Sequence, residues 1–149
     1  MIKHSFLLGA LLLSASPAVS NDYLYLRCKK SDDIVIANSV TSRIVGKSTK
    51  DVSSIFKIDL TEKTLTDARA GYPQSFTVQN KTIIITYKVD NNQLKSSDIF
   101  KLNLIPPYSI SSKGTAIVKT MNKSLTTRGE GSCEEVDPSV FEKALNQPN

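Results

Sequence analysis

The sequence has no tryptophan and one histidine, His4. His4 lies in a segment that reads as a secretory signal peptide over residues 1–20. Lys3 and His4 make a short basic start, Phe6 to Leu13 a compact apolar run, and Ser14 to Ser20 a small, turn-prone stretch. Ala18 and Ser20 occupy the minus-three and minus-one positions, so cleavage is expected between Ser20 and Asn21. The chain after that point has no histidine. This removes Ser-His-Asp and Cys-His catalysis, histidine-ligated metal sites and the commonest general base. The missing tryptophan removes the strongest aromatic platform for sugars or cations. Glycine is sparse: Gly46, Gly71, Gly114, Gly129 and Gly131 are dispersed, and none opens a phosphate-binding loop. No cofactor and no metal is expected.

Long hydrophobic runs are absent as well. After the signal, no stretch reaches the ~20 apolar residues that cross a bilayer as a helix, so no transmembrane segment is expected beyond it. The first cysteine is Cys28, which leaves none at the cleavage site to carry a lipid. Residues 21–149 have the length of one domain that can bury a real core. The expected location is exported, periplasmic or secreted.

The formal net charge is +5, and one unit of it, Lys3, leaves with the signal. Only Arg27, Arg43, Arg69 and Arg128 are arginines; every other cationic side chain is lysine. Arg27, Lys29 and Lys30 form the one basic cluster, and Asp32 and Asp33 follow it directly. A nucleic-acid site concentrates basic residues on one element and interleaves aromatics, so no nucleic-acid partner is expected. A solvated basic surface with a mild attraction to anionic envelope polymers fits this alphabet.

Cysteine is limited to two residues, Cys28 near the start of the domain and Cys133 near its end. In an exported chain such a pair is expected to form a disulfide. A redox-active dithiol favours Cys-x-x-Cys spacing, which is lacking here. Closing a loop of this length restricts the unfolded chain by about 4–5 kcal/mol in the entropy model.

What remains reads as strands. Tyr23 to Cys28 alternates Leu24, Leu26 and Cys28 against Tyr23, Tyr25 and Arg27. Ile34 to Ala37, Ile55 to Leu60, Phe76 with Val78, Thr82 to Val89, Ile99 to Ile105, Thr115 to Met121 and Leu125 to Arg128 complete the set, with turn residues between them. The expected fold class is all-β: an antiparallel sandwich or barrel of about eight strands with a short C-terminal helix. In that helix Asp137 caps, Pro138 opens, and Val140, Phe141, Ala144 and Leu145 form an apolar stripe. The stripe is expected to cover an open end or edge of the sheet. A second helix is expected over Thr61 to Ala70, and a turn at Asp32-Asp33. Ser53 to Leu60 and Ser96 to Leu104 share a pattern that two strands of like alternation explain.

Candidate chemistry is thin. Glu130, Glu134, Glu135 and Asp137 crowd Cys133 but lack the spacing of a calcium loop. Tyr72 and Tyr108 stand beside prolines, where exposed aromatics make a binding lip and packed ones simply fill a turn. Asn80-Lys81-Thr82 and Asn122-Lys123-Ser124 fit the glycosylation acceptor pattern, which matters only in a eukaryotic source. The expected function is a non-catalytic binding module of the cell envelope or periplasm, its partner an envelope protein or an anionic polymer. The alternative is a small-ligand carrier, since an eight-strand barrel holds one small molecule. A third reading is an acid-based hydrolase, which requires two carboxylates on one cleft. The discriminator between the first two is whether a sheet face lines a cavity or a filled core.

Overall fold

A computed structural model describes residues 22–147. The signal segment and the Ser20–Asn21 junction lie outside the described residues. The strands are β1 (Tyr23–Asn38), β2 (Ile44–Asp59), β3 (Thr64–Asp67), β4 (Pro73–Ser75), β5 (Thr77–Gln79), β6 (Thr82–Asp90), β7 (Leu94–Asn103), β8 (Ser109–Val118) and β9 (Lys123–Glu135). A helix, α1 (Pro138–Leu145), follows. All nine strands form one antiparallel sheet in the order β4-β3-β2-β1-β9-β8-β7-β6-β5. The chain is thus all-β with a C-terminal helix, with one strand more than the sequence suggests.

The sheet curls into a nearly closed barrel for a topological reason. Its edges are β4 and β5, and those strands are separated in the chain by Phe76 alone. The two edges are therefore held together by one residue. The Phe76 ring is buried and its amide donates to the Lys63 carbonyl at 2.9 Å. Tyr87 of β6 donates a hydrogen bond to Gln74 of β4 across the same seam. Closure reaches only as far as the short strands do: β3, β4 and β5 have 4, 3 and 3 residues, against 16 in β2. β3 covers β2 over Phe56–Asp59, and β5 covers β6 over Thr82–Ile84. Beyond those points the outer edges of β2 and β6 are unpaired by any described strand, and the barrel opens along its side. Lys47, Lys50 and Asp51 on β2 and Lys88 and Asp90 on β6 place charge along these edges, which discourages strand addition.

Period-two alternation packs the closed half. Leu26, Cys28, Phe56, Ile58, Leu65, Phe76, Ile83, Ile85, Leu102 and Ile110 point inward and are buried. Phe56 and Phe100 meet edge to face with ring centroids 5.7 Å apart. They come from the two similar segments noted in the sequence, which lie on β2 and β7. The likeness reflects a shared task, an inward phenylalanine followed two residues later by Ile58 or Leu102.

Two local expectations are corrected. Tyr23 to Cys28 and Ile34 to Ala37 belong to one continuous strand, and Asp32-Asp33 makes no turn. β1 lies mid-sheet, so Asp32 pairs with Lys50 on one side and Gly129 on the other, and ladder bonds from both neighbours override a local turn preference. Thr61 to Ala70 is not a helix. Thr64 and Thr66 are β-branched and pair with Asp59 and Lys57, while the carboxylates of Asp59 and Asp67 accept the amides of the flanking turns. Finally, α1 lies against the outer face of the sheet, and its last turn reaches Gly71 beside edge strand β4. Phe141 is buried against Tyr25, ring centroids 5.9 Å apart, and Tyr25 points outward because its inward neighbours are Leu24 and Leu26.

Asp137 caps this helix by accepting the Ser139 amide at 2.9 Å, and the bonds from Ser139 hold its carboxyl below the usual range. A lowered pKa means the cap is present above the ordinary carboxylate range and is lost as pH falls through the lowered value. Asp137→Ala is expected to speed amide exchange of Val140 to Leu145 roughly fivefold at neutral pH. In the parent, acidification through the lowered Asp137 value is expected to reduce the protection of the same amides by a similar factor, once the slower intrinsic exchange in acid is divided out. Protection factors that ignore both would remove the capping role.

A candidate ligand cavity at the open side of the barrel

The inner face of β1 changes character halfway along. Leu24, Leu26 and Cys28 are followed on the same face by Lys30 and Asp32. Where the short strands end, the core gives way to an open cavity of about 190 Å³. Its floor is Cys28, Phe56, Leu65, Ile85, Phe100 and Ile110, and its rim is Lys30, Val52, Asp67, Gln74 and Tyr87. A second, more polar hollow of about 220 Å³ shares Lys30, Tyr87 and Phe100 with it and adds Asp32, Asp98, Ser112 and Thr127.

The polar part is ordered by one network. Lys30 Nζ lies 2.8 Å from Asp32 Oδ1 and donates to Ser112 Oγ at 2.8 Å; Ser112 Oγ donates to Asp32 at 3.4 Å. The Lys30 and Asp32 side chains are 16% and 18% exposed, so this pair is far drier than the other ion pairs. Glycines make room for it. A Cβ on Gly129 would stand 1.8 Å from Asp32 Oδ1, and one on Gly114 1.8 Å from Asp98 Oδ1. In each case a carboxylate oxygen occupies the space that a side chain on the glycine would take. Partial burial pushes the Tyr87 phenol up, and Tyr72 and Asp67 add to the shift, so Tyr87 stays a neutral donor at the rim.

The sequence-level candidates are placed as follows. Cys28 and Cys133 are directly opposite on β1 and β9 and form a disulfide, with Cys28 in the core. The acidic residues near Cys133 do not converge. Glu130 pairs with Arg128, Glu134 with Arg27, Glu135 accepts from Tyr108, and Asp137 caps α1. Among the described residues no group of three or more potential ligands forms a metal cluster. Tyr108 is no binding lip: it is 8% exposed, and the bond to Glu135, then burial, pushes its phenol up to about 12. Tyr72 is exposed. Lys30, Asp32, Asp98 and Ser112 were not singled out as a site by sequence reasoning. The available signal was the alternation of β1, which carries Lys30 and Asp32 onto the core face, and Gly129-x-Gly131, which strips one face of a strand.

The class defined by this geometry is a nearly closed nine-strand antiparallel barrel with a small amphipathic cavity on its open side. No protein-family model, curated protein or solved structure matches the chain. No helix among the described residues is long and apolar enough to cross a membrane.

Proposed function

We propose that this is an exported, non-catalytic binding protein whose cavity takes one small amphipathic group. The observation that carries the reading is that the inner sheet face lines a cavity at the point where the barrel opens, instead of being filled throughout. At about 190 Å³ the cavity is close in size to a ~150 Å³ apolar cavity that admits benzene. It suits one aromatic ring or a short branched chain, as a free molecule or as a group on a larger partner, and is too small for a lipid tail. Phe56, Ile85 and Phe100 supply the apolar floor, while Lys30, Gln74 and Tyr87 orient a polar end. The disulfide is compatible with export and supports it.

Ligand-observed NMR with a panel of small aromatic and branched-chain compounds tests this directly. Binding is expected, and Val52→Trp, which fills the rim from the β2 edge, is expected to weaken it at least about tenfold. An unchanged urea midpoint in the variant would show that the fold persists. Binding that ignores Val52→Trp would place the ligand elsewhere, and no binding across the panel would remove the carrier reading.

The hydrolase reading retains one observation, that Asp32 and Asp98 line the same hollow. Asp32 is already committed to Lys30 and Ser112, which argues for a structural role. Turnover of an envelope glycan that disappears in Asp98→Asn would reverse the non-catalytic assignment.

A further inference from the structure

The end of the barrel opposite α1 is formed by three hairpin turns. β1–β2, β6–β7 and β8–β9 all reverse there, with Asn38, Lys123, Val118 and Leu94 side by side in the last row of the ladder. The turns are tied to one another: the Ser39 amide donates to the Asn122 carbonyl at 2.9 Å, and the Lys119 amide donates to the Gln93 carbonyl at 2.9 Å. They make one platform instead of three independent loops.

The platform combines two surface properties. It exposes aliphatic side chains that nothing covers: Val40 at 75%, Val45 at 60%, Met121 at 58% and Ile44 at 51%. Residues 38–45, 90–95 and 118–123 also carry Arg43, Lys95, Lys119 and Lys123 against the single carboxylate of Asp90, which Lys119 holds at 3.0 Å. Among the described residues Arg43, Lys95 and Lys123 have no ion pair. At the other end Asp59, Glu62, Glu134, Glu135, Asp137 and Glu142 are mixed with Arg27, Lys57, Lys63, Lys81 and Lys143. The molecule therefore has a basic, apolar tip and a base of mixed charge.

We infer that this tip docks onto the surface of an anionic lipid bilayer. The excess of cations at the tip draws it toward a negative surface. Lysines and arginines next to an anionic leaflet are drawn to its headgroups. The exposed aliphatics select a bilayer over a polyanion chain, because an interface offers them an apolar medium to enter and a hydrated polymer does not. The inference is independent of the cavity, which opens on the side of the barrel.

Co-sedimentation of the processed protein, Asn21 onward, with phosphatidylglycerol–phosphatidylcholine vesicles and with pure phosphatidylcholine vesicles tests it. Binding to the anionic vesicles is expected at low salt, with little to the neutral ones and loss of binding as salt rises. Arg43→Glu with Lys123→Glu is expected to lower the bound fraction at least about tenfold. Val45→Ser with Met121→Ser, which leaves the charge unchanged, is expected to lower it several-fold. All four positions are exposed, and a matching urea midpoint confirms that each variant is folded. Failure to bind the anionic vesicles at low salt overturns the inference. So does vesicle binding that survives Val45→Ser with Met121→Ser and is matched by retention on heparin, because a polyanion partner would then account for the tip.

Discussion

Replacing Cys28 and Cys133 together by alanine is expected to lower the stability of the folded chain by about 4 kcal/mol. The two cysteines are 105 positions apart, so their bond removes a long loop from the unfolded ensemble. In the native state it adds little that is new. Cys28 and Cys133 already face one another in the β1–β9 ladder, and Leu26 and Lys30 on either side are paired with β9 as well. The effect should therefore appear as a lower urea midpoint with the strand content of the folded baseline retained. For a domain of this size the melting temperature should fall on the order of 10–20 °C. The comparison of oxidised, reduced and doubly substituted protein by urea unfolding is direct. Equal midpoints in all three would mean that the bond constrains nothing the ladder does not already hold, and the loop-entropy account would be wrong.

Gly131→Ala is expected to be the most damaging glycine substitution among the described residues. Gly131 lies on β9 between Lys30 of β1 and Ile110 of β8, in the middle of the sheet. A Cβ built there would stand 2.0 Å from the Lys29 carbonyl oxygen and 2.7 Å from the Lys30 Cα. Both are backbone atoms, so no rotamer change relieves the clash, and β1 and β9 would have to move apart beside the disulfide. A loss of about 3 kcal/mol follows. Gly46→Ala is the internal control: its nearest neighbour would be Ile36 Cβ at an ordinary 3.8 Å. Alanine there is expected to be neutral or to stabilise by up to ~1 kcal/mol, because it reduces the freedom of the unfolded chain. Thermal melts of the two variants by circular dichroism should separate widely. Similar melts would show that close strand approach is not what Gly131 serves.

Much of the fold was legible because alternation is a local property. The runs at Tyr23 to Cys28, Thr82 to Val89 and Ile99 to Ile105 announce strands, and alternation within the first sets Leu26 against Tyr25 and Arg27; Leu26 is fully enclosed, as are Ile83 and Leu102 in the other two. The cap and stripe of α1 were equally local: Asp137, Pro138 and Phe141 do there what their spacing implies. Where the reading failed, a distant partner had intervened. Asp32-Asp33 has turn chemistry, but β2 and β9 pair with it from both sides. Thr61 to Ala70 has residues a helix would accept, but its threonines meet the end of β2.

The candidate site was the least legible part, since it is made of absences and offsets between strands. Lys30 and Asp32 look like surface charges until the continuity of β1 places them on the inner face. Gly114 and Gly129 look unrelated until β8 and β9 pair and both are seen beneath carboxylates. The basic tip has the same origin: Arg43, Lys95 and Lys123 are scattered along the chain and converge only because three hairpins turn at one end.

By itself, then, the sequence determined the strand character, the inward-facing residues, the cysteine pair and the C-terminal helix, each of which depends on neighbours a few residues away or on the count of one residue type. Tertiary structure alone decided that the sheet closes, where it opens, and what lies at the opening. Closure depends on Phe76 joining two sheet edges, and the cavity depends on β3, β4 and β5 being too short to cover β2 and β6. These are relations between strands whose pairing is set by global topology, and no window along the chain contains them.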